Sequence, residues 1–380
     1  MTTQETSPLL GHSASGAGNS YRSTSTPYTH TPTTTTTGQQ EALSQRHQET
    51  KGLIYMTLSA FFFSFMSLLV SITARSLPSF EVLLFRGIIQ TLFGIAVCRH
   101  LNISPWGNRN VRFLLFCRGL AGTCALGFFF FSLSVLPLAD ATTIFFLGPV
   151  FTAILGRIVL KEPFGPLDAL ASTVSMIGVI LVAKPTALFS SPPTSGAPDA
   201  PKSLGWLAQW NSPNMPREDH RLFGALCAVC GAMCTATAYV IVRKIGKQGA
   251  HSMQHVVALG LVCCLVSPIG LYTLQGGFIM PDGPFMWTGV ISLGVAAFLG
   301  QILLNNGLQM APLGPGTLMR MNDIVFAFIF QITVQHQHPD IFSYIGATLV
   351  MLCTGGMALN KWRLGKQQER KSRRDQPTQP

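Results

Sequence analysis

Charged side chains are scarce in this sequence. Only 11% of the 380 residues carry charge, whereas an ordinary soluble domain carries about 25%. Acidic residues are the scarcer kind, with 15 Asp and Glu against 26 Lys and Arg. Seven of those 26 basic residues lie in the C-terminal segment 361–374. A basic tail behind an apolar segment is typical of a membrane-surface anchor, so the excess of basic residues does not indicate binding of nucleic acid.

The motifs of enzymes and metalloproteins are missing as well. The sequence has no phosphate-cradling Gly-rich loop, no nucleophile elbow and no HExxH. All nine cysteines lie within apolar segments or at their ends, which argues against a disulfide framework. Cys227, Cys230 and Cys234 share one helix face, but no nearby His or acid completes a metal set. We expect no enzymatic activity, no cofactor and no bound metal.

Long apolar segments dominate the chain instead. A helix needs about 20 predominantly apolar residues to cross a bilayer. Ten segments meet this requirement: 52–73, 80–98, 111–135, 138–160, 166–184, 222–243, 251–274, 285–309, 313–334 and 341–360. The sequence therefore predicts an all-α membrane protein with ten transmembrane helices.

A linker divides these spans into two equal groups. Residues 185–221 include Ser190-Ser-Pro-Pro193 and Ala197-Pro-Asp-Ala-Pro201, which is linker composition. Because each half has an odd number of spans, the second half must enter the membrane from the opposite side, as in the inverted repeats of secondary transporters. We predict a disordered cytosolic tail at 1–50, a five-helix repeat at 51–184 and a non-cytosolic linker at 185–221. A second five-helix repeat at 222–360 and a basic cytosolic tail at 361–380 follow.

The two halves also contain a duplicated cassette. Leu136–Val182 and Ala311–Leu359 follow the same order of polar turn and apolar spans at an offset of about 175 residues. Gly148 and Pro149 interrupt the first copy, and Gly314 and Pro315 open the second. We expect these pairs to break their helices at matching places. Such breaks indicate a central binding site, with a packing kink as the alternative interpretation.

Four charged residues lie deep in the predicted spans. A charge at the middle of a membrane helix costs about 2.5–3.5 kcal/mol, so it usually faces a cavity or a partner. Arg86, Arg118, Arg320 and Asp323 are therefore candidates for lining a substrate path, with static helix pairing as the alternative. Arg320 and Asp323 are three residues apart, within reach of each other on one helix face. The surplus of arginine favours a solute with a carboxylate or another anionic group.

Other polar residues in the spans allow two interpretations. Gln301, Asn305 and Gln309 form a stripe on one helix, which joins helices together or contacts solute. Glu81, Asp140 and Arg157 lie nearer to span ends, where snorkelling to the headgroups competes with a cavity role.

The distribution of basic residues predicts an orientation. Placing both termini in the cytosol gives the cytosolic loops the larger share of Lys and Arg, including Arg99, Arg109, Arg112, Lys161, Arg243, Lys244 and Lys247. Glu5, Leu9 and Leu10 fit an acidic dileucine signal that would bind a sorting adaptor. The organelle stays open between an endosomal or vacuolar membrane, the plasma membrane and the endoplasmic reticulum, and the assembly stays open between a monomer and a homodimer.

Several short motifs in order resemble a known family. They include Phe85-Arg-Gly87, Arg118-Gly119, Leu138-Ala-Asp-Ala-Thr142, Leu160-Lys-Glu162 and Gly314-Pro315. Together they resemble the drug/metabolite transporter superfamily with EamA-type repeats, and within it subfamily G of solute carrier family 35. The resemblance implies a secondary-active transporter of a small organic solute, working by alternating access around a cavity between the halves. A non-transporting membrane scaffold or regulator is the competing hypothesis.

The two cassettes differ at their hinge. The resemblance makes Glu162 part of the hinge between the two apolar spans of the first cassette. The second cassette has Gln335-His-Gln-His-Pro339 there, without an acid. A role of Glu162 therefore does not transfer to the second half.

Overall fold

The structure is a computed structural model, which describes residues 34–73, 79–136, 138–162, 165–183, 217–274, 278, 280–281, 283–334, 336 and 341–374. These residues form twelve helices and no strand. Those of the first half are α1 Thr34–Thr73, α2 Ser79–His100, α3 Arg109–Val135, α4 Leu138–Phe145, α5 Gly148–Leu160 and α6 Pro166–Ala183. Those of the second half are α7 Arg217–Gly246, α8 Ser252–Leu274, α9 Gly283–Met310, α10 Leu313–Met319, α11 Asn322–Thr333 and α12 Ile341–Arg374.

The predicted all-α membrane fold is confirmed. Over the described ranges, nine segments are long and apolar enough to cross a membrane. The predicted span 313–334 is not among them, and it consists of two short helices in series, α10 and α11. The predicted span 138–160 is likewise divided into α4 and α5.

Two helices extend past the predicted boundaries of the tails. Helix α1 begins at Thr34, so residues 34–50 are helical although the sequence analysis placed them in a disordered tail. Helix α12 runs to Arg374, beyond the predicted boundary at 360. Residues 41–50 are rich in Glu, Gln, Ala and Arg, which favour helix, and extending an existing helix avoids the cost of nucleation. The sorting-signal residues Glu5, Leu9 and Leu10 lie outside the described residues, as does most of the predicted linker.

The offset of about 175 residues between the cassettes is visible in the helix starts. Leu138 begins α4 and Leu313 begins α10. Pro166 begins α6 and Ile341 begins α12. The duplication therefore extends from the sequence to the boundaries of the helices.

The first broken span is interrupted at Phe146 and Leu147. Pro149 has no N–H to donate to the carbonyl of Phe145, the residue at which α4 ends. The N–H groups of Leu147 and Val150 instead donate to carbonyls three residues back, at 3.0 Å each. The tighter hydrogen bonds produce a local turn, which is a common feature of functional hinges.

The second broken span differs from the expectation. Gly314 and Pro315 lie in the first turn of α10, and the break falls at Arg320 and Met321 instead. Pro312 disfavours a helical conformation of the preceding Ala311, which accounts for the end of α9 at Met310, whereas Pro315 lies in the first turn of α10, where a missing N–H is tolerated. The 175-residue offset places the second break opposite the first, whereas the two prolines do not correspond. Hydrogen bonds from Met321 and Asp323 to carbonyls three residues back, at 3.0 and 3.1 Å, form this break.

The helices of one half pack against those of the other. Helix α1 packs on α9 and, in the corresponding arrangement, α7 packs on α3. Helix α2 packs on α8, and α6 on α12. Exchanging the two halves leaves this set of contacts unchanged. Both broken spans contact the first helix of the opposite half, α5 with α7 and α11 with α1. Residues at the breaks are thereby positioned at the interface between the halves.

Candidate functional site

The break in the second half carries an acid and a base. Arg320 follows the last residue of α10, and Asp323 lies in the first turn of α11. Their side chains form an ion pair, with 3.5 Å between Arg320 Nη2 and Asp323 Oδ2. Ser64 of α1 lies with its Oγ 2.5 Å from both the carbonyl oxygen and Oδ1 of Asp323. The carboxylate is therefore held by both halves of the protein.

A phenylalanine of α1 brings two arginines together. The guanidinium of Arg320 lies 4.1 Å from the centroid of the Phe63 ring, and that of Arg86 lies 6.0 Å from it. Both distances allow cation–π attraction, which lowers the free energy of a desolvated cation. Arg86 comes from α2 of the first half and Arg320 from the second, so Phe63 lies close to cations of both repeats.

Arg118 of α3 extends this group of cations. Its side chain is among the largest that are fully buried, at 2% exposure. Arg118 is an electrostatic neighbour of Arg86, Tyr239 and Cys263, and Arg86 in turn is a neighbour of Arg320. The absence of a side chain at Gly122 makes room for it, because a Cβ there would lie 2.8 Å from Arg118 Nη1. Arg86, Arg118 and Arg320 together are called the arginine cluster below.

The arginine cluster has more positive charge than its surroundings neutralise. Among the described residues, Asp323 is the one acid in salt-bridge contact with it, through Arg320. No described carboxylate forms an ion pair with Arg86 or Arg118. Nε of Arg118 and both Nε and Nη1 of Arg320 are buried without a hydrogen-bond partner. Since an unpaired buried charge costs several kcal/mol, the site favours an anionic group or water beside these arginines.

The amides of α9 divide between the two interpretations that the sequence left open. Asn305 Nδ2 donates to the carbonyl of Ser252 at 3.5 Å, and Gln309 Nε2 donates to that of Ala250 at 3.2 Å. Both therefore join α9 to the start of α8. Gln301 is buried and its Oε1 has no hydrogen-bond partner. The adjoining Gly300 packs against the Phe63 ring, which positions this turn of α9 beside the arginine cluster.

The three charged residues near span ends also differ from one another. Arg157 is exposed on α5, which agrees with snorkelling to the headgroups. Glu81 and Asp140 are buried at 0% and 7% exposure, so snorkelling does not describe them.

Glu162 lies at the end of the molecule where α5, α7 and α9 end, called the Glu162 end below. Its Oε1 accepts from Arg243 Nε at 2.7 Å and from Lys247 Nζ at 3.2 Å. Its Oε2 accepts from the Leu313 N–H at 2.9 Å. Burial acts to raise the pKa of this carboxyl, but the hydrogen bonds from Leu313, Arg243 and Lys247 and the charge of Arg243 together lower the pKa below its ordinary value. Glu162 of the first repeat is thus a charged contact to the second.

Sequence reasoning missed several residues around the arginine cluster. Phe63 and Ser64 lie in the run Phe61-Phe-Phe-Ser-Phe65, where the lone serine was the available signal. The sequence does not predict that the Phe63 side chain points inward, because every face of that helical run is apolar. Tyr239 and Cys263 carry no motif, and only the packing of α7 and α8 brings them to Arg118.

The fold and this cluster define a class of protein: a multi-pass membrane protein of two similar halves around a buried, positively charged centre. The EamA-like transporter family model matches the chain twice, over residues 50–184 and 222–358. The chain belongs to this family.

Known relatives agree with that assignment. Solute carrier family 35 member G1 of Homo sapiens is 33% identical over 313 residues, which cover 82% of this chain and 80% of the relative. The pseudopaline exporter of Pseudomonas aeruginosa is 22% identical, over 82% of this chain and 96% of the exporter. A crystal structure with 17% sequence identity superposes with a TM-score of 0.64 over 81% of this chain and 97% of that chain, which shows a shared fold.

Proposed function

We propose that this protein is a secondary-active transporter of a small organic anion, such as a carboxylate. The observation that carries the proposal is the surplus of buried positive charge in the arginine cluster. Arg86 and Arg118 have no ion-pair partner among the described acids, and the unbonded nitrogens of Arg118 and Arg320 can donate hydrogen bonds. A carboxylate or phosphate group would accept these bonds in bidentate geometry and neutralise the charge.

Alternating access explains why the cluster lies where it does. Its members come from α2, α3 and the break between α10 and α11, so they belong to both halves. A rocking motion of one half against the other would expose such a site first to one side of the membrane and then to the other. We place both termini in the cytosol, which makes the Glu162 end the cytosolic one, because the loops at that end carry most of the basic residues.

Uptake into liposomes tests the proposal. Purified protein is reconstituted without ATP and offered radiolabelled monocarboxylates, dicarboxylates and phosphate monoesters down a concentration gradient. We expect saturable uptake of at least one anion, a loss of at least about tenfold in Arg118→Gln, and normal uptake in Arg157→Gln. Arg157 is a matched control because it is a span arginine that is exposed. Absence of uptake across the panel, or normal uptake by Arg118→Gln, contradicts the proposal.

The second candidate function is a membrane scaffold in which the charges only pair helices. The ion pair between Arg320 and Asp323 is the observation in its favour. A double-mutant cycle on this pair separates the two hypotheses. Strong coupling in stability with unchanged anion uptake would support a scaffold, whereas coupling in uptake supports a transporter.

A further inference from the structure

Glu162 is directed towards the second repeat by a fixed turn. Helix α5 ends at Leu160, and Lys161 adopts the left-handed conformation with φ of 54°. The N–H groups of Lys161 and Glu162 both donate to the carbonyl of Gly156, which closes the turn. Glycine usually occupies such a position, so a lysine here is held under mild backbone strain. The turn sets the direction in which the Glu162 side chain leaves the first repeat.

The contacts of Glu162 connect the ends of three helices of the second half. Arg243 and Lys247 hold Glu162 at the end of α7, and Leu313 holds it at the start of α10. Arg243 Nη1 also donates to the carbonyl of Gln309 at the end of α9. One carboxylate therefore keeps α7, α9 and α10 together against the first repeat. Charge-assisted hydrogen bonds of this kind are roughly twice as strong as neutral ones.

An apolar layer lies beside this contact. It consists of Leu53 and Met56 of α1, Leu308 of α9, and Ala311 and Leu313, all at 4% exposure or less. The backbones in this layer approach closely, because a Cβ on Gly52 would lie 2.6 Å from the backbone nitrogen of Ala311. Helix α1 and the segment that joins α9 to α10 are therefore closely packed at this point.

Helix α10 connects this layer to the arginine cluster. Leu313, at its start, contacts Glu162, and Arg320 follows its last residue. Leu318 and Met319 are at most 2% exposed, whereas the Arg320 and Asp323 side chains keep 19% and 18% exposure. The buried residues of α10 therefore lie between the arginine cluster and the Glu162 end.

We propose that Glu162 is the latch that keeps the transport path closed at the Glu162 end, and that release of its contacts lets α10 move and open the path there. This inference rests on the proposed transport function. Glu162 acts through α10 and is a positioning residue, since it does not touch the arginine cluster. The second repeat has His336 and Gln337 at the corresponding positions. Because the corresponding hinge of the second repeat has no carboxylate, the latch favours the conformation that is closed at the Glu162 end.

Hydrogen exchange of the purified full-length protein tests the latch without any substrate. In Glu162→Gln we expect exchange of peptides covering 308–320 to be faster by at least about tenfold, with the helices away from the Glu162 end unchanged. Lys247→Gln should have a small effect, because Lys247 is 48% exposed. Asp168→Asn is the matched control, a nearby carboxylate that accepts a hydrogen bond from Gly165 of its own loop. Unchanged exchange in Glu162→Gln, or a uniform increase over the whole protein, overturns the proposal.

Anion uptake is then measured from each side of oriented liposomes. The KM values obtained in this way do not depend on the amount of folded protein. Weakening the latch increases the population open at the Glu162 end, so the KM for anion added on that side should fall and the KM on the other side should rise. A lower maximal rate with both KM values unchanged contradicts the latch. If the wild type transports no anion, the proposed function fails, while the exchange measurement still decides whether the latch exists.

Discussion

At the scale of single residues, the site depends on side chains that hold charged groups in place. Ser64 of α1 is the clearest case, because it contacts Asp323 across the interface between the halves. Asp323 in turn is the carboxylate that pairs with Arg320. The orientation of Arg320 over the Phe63 ring therefore depends on α1 as well as on the break that carries it.

Ser64→Ala should weaken transport without unfolding the protein. Loss of a hydrogen bond to a charged group costs about 1.5 kcal/mol, which corresponds to about a tenfold change in KM. The measurement is the KM of anion uptake. Ser59→Ala is the control, since this buried serine of the same helix donates only to the carbonyl of Met56. Equal KM values for the two variants would exclude a role for Ser64 in the site.

Gly122→Ala should displace the Arg118 guanidinium. Its Cβ would meet Arg118 Nη1 and a methyl group of Leu259, both at 2.8 Å and both at the ends of flexible side chains. We expect a folded protein whose KM for the anion rises by about tenfold, because one charge-assisted hydrogen bond is lost. Gly127→Ala on the same helix has no atom within 4 Å and should leave KM unchanged. A normal KM in Gly122→Ala would show that the position of Arg118 does not matter.

At the scale of helices, close packing at glycine joins the last helices of the two halves. A Cβ on Gly178 of α6 would lie 2.8 Å from the carbonyl oxygen of Gly346, and one on Gly346 of α12 would lie 2.5 Å from that of Gly178. Small residues let membrane helices approach closely, and here the atoms in contact are backbone atoms that cannot turn away.

Gly346→Ala should therefore separate α6 from α12. Overpacking of this kind costs about 1–3 kcal/mol. A lower melting temperature in detergent checks the expectation. The control is Gly355→Ala on the same helix, which meets nothing within 4 Å and should be neutral or slightly stabilising. Melting temperatures that agree between the two variants would contradict the packing argument.

The helix breaks show how far the sequence predicts these elements. The missing N–H of Pro149 made the first break predictable, and α5 begins beside it at Gly148. The second break has no proline, and Pro315 led instead to an incorrect position near the start of α10. Arg320 and Asp323 were chosen for their charge alone. Their place on either side of the break depends on tertiary packing, which local sequence does not encode.

At the scale of the whole molecule, the duplicated scaffold is symmetric and its charges are not. The helix pairs α1–α9, α2–α8, α3–α7 and α6–α12 persist when the halves are exchanged. Arg320 and Asp323, however, correspond to Phe145 and Gly148 at the repeat offset, and Glu162 corresponds to Gln337. The number and order of the spans could be predicted from the lengths of the apolar segments, which can be read directly from the sequence. The convergence of the three arginines could not be predicted from the sequence, because it depends on which face each helix turns inward.

Anion-dependent stabilisation tests the central claim, that the surplus charge of the arginine cluster binds an anionic solute. Melting temperatures are measured for the wild type, Arg118→Gln and Arg157→Gln with and without each anion of the panel. A ligand at 100 times its Kd stabilises by about 2.7 kcal/mol. We expect an anion to stabilise the wild type and Arg157→Gln but not Arg118→Gln, whose empty form should be at least as stable as the wild type because an unpaired buried charge is gone. Equal stabilisation of all three, or of none, would contradict the account.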